Sequence, residues 1–156
     1  MNTSKHIFVQ IDTDSIVALS SGSITINNND VLDHTLIYNQ GSMALGSAVK
    51  DFNIIIEPGD QVTFTILPLK LFTNHTLTFT EFIVPKEHDY VHFECSDTKD
   101  KVSFTVTVGD VEKDCNIEFS LGAVLNFKLD GIPAVIPICI DPVLKAKQGR
   151  GIMINE

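Results

Sequence analysis

Apolar and polar residues alternate along this chain with a period of two. Val62, Phe64 and Ile66 alternate with Gln61, Thr63 and Thr65. Val102, Phe104, Val106 and Val108 alternate with Ser103, Thr105 and Thr107, and Ile117, Phe119 and Leu121 with Glu118 and Ser120. A period of two places one face of a strand on a core and the other in water. Further strands are predicted over Lys5–Ile11, Ser15–Leu19, Ser23–Asn27, His34–Asn39, Phe52–Ile56, Leu77–Val84, Tyr90–Cys95, Ala123–Leu129 and Ala134–Ile140. They are rich in Thr, Val, Ile and Phe, which suit a pleated, half-buried surface. The best helix candidate is short, around Pro142–Lys147.

Turn chemistry separates the runs. Pro58-Gly59-Asp60 combines a fixed φ with a residue that accepts a positive one, and Asp130-Gly131 between apolar strands is a two-residue hairpin signal. Asn27–Asp30, Thr98–Asp100 and Gly109-Asp110 are further breaks. Within Leu77–Val84 the apolar phase slips: Leu77 and Phe79 share one face, Phe82 and Val84 the other. A strand buried on both faces, or a bulge near Glu81, accounts for the slip. Pro68 confines its segment to an edge or a bend. About ten short strands with little helix predict an all-β fold, an antiparallel β-sandwich of jelly-roll-like or flattened-barrel form. One domain is expected over 1–143, with a C-terminal extension over 144–156.

Composition narrows the functions. The 156 residues are 44% apolar and 20% charged, a globular balance with room for a sizeable core. Net charge is −9, with Arg150 as the single arginine. Nucleic acid and anionic membrane both demand clustered cations, so neither is expected as a partner. The first residues alternate and form no unbroken apolar signal, and no apolar run is long enough to span a bilayer. A cytoplasmic location is the expectation. Cys95, Cys115 and Cys139 are odd in number and widely spaced, which suggests buried free thiols in a reducing compartment.

Two clusters invite chemistry. Asp12 and Asp14 follow an apolar strand and pair two carboxylates, which suit a hard cation helped by the Asn27–Asp30 loop. The competing reading is a turn whose Asp and Ser side chains bond the local backbone. On a strand, His88, Tyr90, His92 and Glu94 share a polar face, with Val91, Phe93 and Cys95 opposite. His88 and His92 would lie about 13 Å apart and cannot chelate one ion alone. Tyr90, His92 and Glu94 are the candidate ligand-binding row, against the plain alternative of a wetted strand face. Gly-x-Ser-x-Gly, His-Glu-x-x-His and the Walker glycine loop are absent. The glycines of Gly41–Gly46 lack the lysine of a phosphate cradle. No catalytic residue and no cofactor is expected.

Three segments together resemble the bacterial AidA/PixA inclusion-body protein family. They are Ile7–Ala18, an apolar strand running into Ile-Asp-Thr-Asp; Val49–Phe64, a strand, a Gly-Asp turn and a second strand; and Ile138–Val143, a closing strand with Asp-Pro. The chain departs from the family's pattern in its short Ala18–Asn27 segment, its three methionines, its lack of tryptophan and its tail beyond Leu144. The resemblance implies a β-sandwich that accumulates in the cytoplasm, in some relatives as crystalline inclusions, with lectin activity attached to part of the family and no catalytic residues. The expected function is therefore a non-enzymatic protein that self-associates as a homodimer or larger assembly, or is stored. The alternative is a lectin-like module binding carbohydrate or a small ligand.

Overall fold

A computed structural model describes residues 4–20, 27–39, 47–49, 52–70, 73–84 and 90–148. Among them are twelve strands and two short helices. In chain order these are β1 (Ser4–Ile11), α1 (Thr13–Ser20), α2 (Asn28–Asp33), β2 (Thr35–Asn39), β3 (Ser47–Ala48), β4 (Asn53–Ile56), β5 (Gln61–Pro68) and β6 (Thr76–Ile83). They continue with β7 (Val91–Cys95), β8 (Ser103–Val111), β9 (Cys115–Glu118), β10 (Ser120–Leu129), β11 (Ile132–Ile140) and β12 (Val143–Ala146). The fold is an all-β sandwich, and the sheets among the described residues do not close into a barrel.

One layer is a six-stranded sheet in the order β3-β2-β1-β5-β8-β7. The other is a single long hairpin. Its arms are β9 with β10 and β11 with β12, and Leu121↔Ile140 and Glu118↔Val143 keep one continuous register across the break. Phe119 N–H donates to the Pro142 carbonyl at that break. β6 flanks one arm and β4 the other. Asp130 and Gly131, both at positive φ, close the hairpin as its sequence predicts. The pairing is not wholly antiparallel: β1 with β5 and β4 with β12 run parallel. Parallel neighbours need a long crossover, and the stretch from α1 to β4 supplies it between β1 and β5.

The layers meet in an aromatic core. Phe64 stacks on Phe104 at 5.3 Å, and Phe82 lies 5.4 Å from Phe119 and 5.9 Å from Phe104. Phe79 meets Phe104 edge-on at 4.8 Å. Burying each such ring contributes roughly 1.5–3 kcal/mol. The phase slip in β6 is a bulge: Gly122 pairs with Glu81 and Ala123 with Phe79, leaving Thr80 unpaired. That extra residue turns Phe82 back toward the core after Phe79. Gly122 makes the room, since a Cβ there would sit 2.8 Å from both Glu81 Cγ and Thr80 Oγ1.

Several expectations need correction. The segment over Ser15–Leu19 lies in helix α1, because Asp12 caps its first turn and Thr13, Ile16 and Ser20 form a buried helical face. Pro142–Lys147 contains strand β12, held between β4 and β9. A helix this short gains little by itself, whereas both ladders are available to a strand. Leu144 and Ala146 are core residues, so this part of the assigned extension completes the sheet. Pro68 ends β5, an interior strand, beyond its last β8 partner. The three cysteines are free but not buried: Cys95 and Cys139 are exposed and Cys115 is half-buried. Cys139 stands on the outward face of β11 between Ile138 and Ile140, and Cys95 ends an edge strand. Residues 23–26 of the Ser23–Asn27 prediction lie outside the described residues. No helix among the described residues is long and apolar enough to cross a membrane.

Candidate functional site

β7 is the outermost strand of the six-stranded sheet, and its partner β8 carries a second bulge. Val91 pairs with Val111 and Phe93 with Val108, so Gly109 and Asp110 together face His92. A Cβ on Gly109 would meet His92 Cδ2 and the His92 carbonyl oxygen at 3.1 Å. Glycine thus lets the imidazole lie close over the bulge. The extra residue also brings acidic side chains toward the same place. A shallow, open depression of about 390 Å³ results, lined by Tyr90, His92, Asp110 and Glu112.

Local bonds fix its rim. Glu112 N–H donates to the Tyr90 carbonyl at 2.7 Å, and Gln148 Nε2 donates to the Glu112 carbonyl at 2.6 Å. Lys113 Nζ lies 3.8 Å from the Tyr90 ring centroid, so a cation covers one face of that ring. Of the sequence-derived row, Tyr90 and His92 line the depression and Glu94 does not. His88 lies outside the described residues. Asp110 and Glu112 were missed because a bulge, not simple alternation, brings them here; the Gly109-Asp110 break and the out-of-phase pair Val108 and Val111 are its traces in the sequence. Two carboxylates, a phenol and an imidazole can accept and donate hydrogen bonds to a hydroxylated ligand. They hold no nucleophile beside a base.

Asp12 and Asp14 serve separate ends. Asp12 accepts from Ser15 N–H at 3.2 Å and Ser15 Oγ at 2.7 Å, capping α1. The Ser15 hydroxyl bond foremost holds its carboxyl below the usual range. Asp14 pairs with Lys70 at 2.7 Å and lies 3.4 Å from His75 Nδ1. The pairing holds the Lys70 ammonium charged to higher pH. Of the segment Asn27–Asp30, Asn27 caps α2 by accepting from Asn29 N–H at 2.8 Å, and the other three residues form the first turn of that helix. The two aspartates therefore do not converge as cation ligands. No group of three or more His, Cys, Asp or Glu among the described residues is placed to hold a metal.

The Thr13–His75–Asp14 grouping resembles a catalytic relay only superficially. Thr13 Oγ1 lies 2.9 Å from His75 Nδ1, the same nitrogen that faces Asp14. A relay needs the two partners on opposite ring nitrogens. The thiols are no better suited to nucleophilic work. Desolvation pushes Cys95, Cys115 and Cys139 up, and nearby Asp141 adds to the effect at Cys139.

Comparison with known proteins adds one finding. No family model matches the sequence, and no curated protein matches it. A solved structure described as an inclusion body protein (PixA), from Burkholderia cenocepacia J2315, is similar over 95% of this chain and 96% of its own. The TM-score is 0.60 and the identity 11%. The likeness is one of fold, and it spans both layers. It is a likeness to a protein of the family that residues 7–18, 49–64 and 138–143 resemble.

Proposed function

We propose that this chain is a non-catalytic, self-associating protein of the inclusion-body type, held in the cytoplasm. The observation that carries the reading is the near end-to-end fold likeness to an inclusion body protein. The sequence resemblance at the start, middle and end of the chain supports it independently. Open strand edges supply a means of association, since each exposes unpaired backbone groups to a second copy. Light scattering across a concentration series tests the proposal: the mass should rise with concentration. A constant monomer mass up to millimolar protein would refute it.

A second reading rests on the depression beside β7. Its carboxylates and phenol suit the hydroxyls of a saccharide. A glycan array comparing the parent chain with Tyr90→Ala and Asp110→Asn decides it. Binding that both variants lose supports a lectin-like role; an array with no binder removes it.

A further inference from the structure

We infer that β7 is the self-association surface, and that two copies pair antiparallel about a two-fold axis through Phe93, opposing His92 of one copy with Glu94 of the other. This deepens the self-association reading and rests on it.

The open edges are not equivalent. β11 is a nine-residue edge, but it contains Pro133 and Pro137. Its pairing to β10 is intact through both, so their missing N–H groups belong to the side facing away from β10. α2 also packs against it. β3, at the other end of the six-stranded sheet, has only two residues. β4 and β9, which flank β12, have four residues each. β6 is an eight-residue edge, but its bulge interrupts it and Phe79 is bridged to Lys101 on its free side. β7 has five residues and no proline.

Its backbone is oriented for pairing. Ser96 N–H donates to the Thr105 carbonyl and Glu112 N–H to the Tyr90 carbonyl, so even-numbered residues turn toward β8. Alternation then points the N–H and C=O groups of Val91, Phe93 and Cys95 outward. An axis at Phe93 opposes Phe93 with its own copy and Val91 with Cys95. Every outward group of β7 finds a partner in that register.

The side chains agree with the same register. His92 and Glu94 are exposed on the outer face, while Phe93 is half-buried on the inner face against Phe82. With the axis at Phe93, each His92 faces a Glu94, so one imidazole–carboxylate pair forms on either side of the axis. Phe93 loses its remaining exposure against its copy, and the six-stranded sheet continues across the axis. An axis shifted by two residues would lose both pairs.

Charge exchange at these exposed positions tests the inference. His92→Glu sets like charges opposite each other twice, and should weaken association about tenfold or more. Glu94→Lys alone should also weaken it, while His92→Glu combined with Glu94→Lys restores opposite charges and should recover the parent affinity. As a check on register, His92→Cys and Glu94→Cys chains, each with Cys95, Cys115 and Cys139 replaced by serine, are oxidised singly and mixed. Residues at such non-hydrogen-bonded positions lie about 4.5 Å apart, within disulfide reach. The mixture should crosslink, and neither chain alone should. Association unchanged in both single charge variants would overturn the β7 surface while leaving self-association standing. A monomer at every concentration would overturn both.

Discussion

Two bulges interrupt the sandwich among the described residues, and they do opposite things with the same device. In β6 the extra residue Thr80 faces Gly122 and returns Phe82 to the interior. In β8 the extra residue at Gly109-Asp110 faces His92 and gathers acidic groups at the surface. Each involves a glycine where a Cβ would crowd the opposite strand. A bulge changes the side-chain phase by one position, so its consequence depends on the residues next along the strand. In β6 the next aromatic is Phe82, and the consequence is packing. After the β8 bulge come Val111 and Glu112, one buried and one exposed, and the consequence is a shaped, charged rim.

Phe82→Ala tests most directly the packing that the inward bulge sets up. It removes the ring that meets Phe64, Phe104 and Phe119. A loss of about 3–5 kcal/mol is expected, as for truncating a core phenylalanine. Urea unfolding measures it, and a loss below about 1 kcal/mol would show that the core does not depend on the ring that the bulge delivers. Gly122→Val keeps the phase but fills the space that Thr80 and Glu81 occupy. Its expected cost is smaller, about 1–3 kcal/mol. Crowding from both strands predicts that Glu81→Ala relieves part of that cost, which a double-mutant cycle would detect.

The same contrast explains what was legible in the sequence. Strict alternation gave away β5, β8 and β10, and Asp130-Gly131 marked its hairpin, because these features depend on local chemistry. The inward bulge was visible too, since shifting an apolar face leaves Phe79 and Phe82 out of phase. The outward bulge leaves the same mark, since Val108 and Val111 are out of phase and both buried, but Asp110 and Glu112 read as ordinary exposed positions, and their convergence with Tyr90 and His92 is set by the register between strands. α1 was misread because Ile16, Val17, Ala18 and Leu19 carry neither period clearly, and the deciding signal was the Asp12 cap. β12 was misread because both of its partners lie far away in sequence. A row on the outer face of the large sheet was missed for a similar reason. His6, Phe8 and Tyr38 stack there, at 4.4 and 5.4 Å, because β1 and β2 align them.

The Asp12 cap offers a third, milder benchmark between the two bulges. Asp12→Ala should cost about 1 kcal/mol at neutral pH. The native carboxyl is held below its ordinary value of 3.8, chiefly by the Ser15 hydroxyl. Its contribution is therefore fully present above that value and is lost as the pH falls through the lower native one. Parent and variant should differ in urea midpoint at pH 7 and converge toward pH 2.5. A gap that persists at full size at pH 2.5 would mean the carboxylate charge is not what stabilises the helix start.

Gly109→Ala should have the smallest effect on stability and the most local effect on structure. The new methyl would approach the His92 ring carbon and carbonyl at 3.1 Å, which asks for a shift of a few tenths of an ångström. Gly109 does not need a positive φ, so alanine is sterically open to the backbone. Replacing glycine also restricts the unfolded chain, a gain of about 0.4–1 kcal/mol that offsets the crowding. The net change in unfolding free energy should stay within about 0.5 kcal/mol. His92 is exposed and free to give way, so it should tilt away from the bulge and move relative to Asp110 and Glu112. Its imidazole resonances, followed by NMR through a pH titration, should then shift while the Phe82 ring resonances stay put. Movement of both sets would show that the outward bulge is mechanically joined to the core, and the division between a packing bulge and a surface-shaping bulge would not hold.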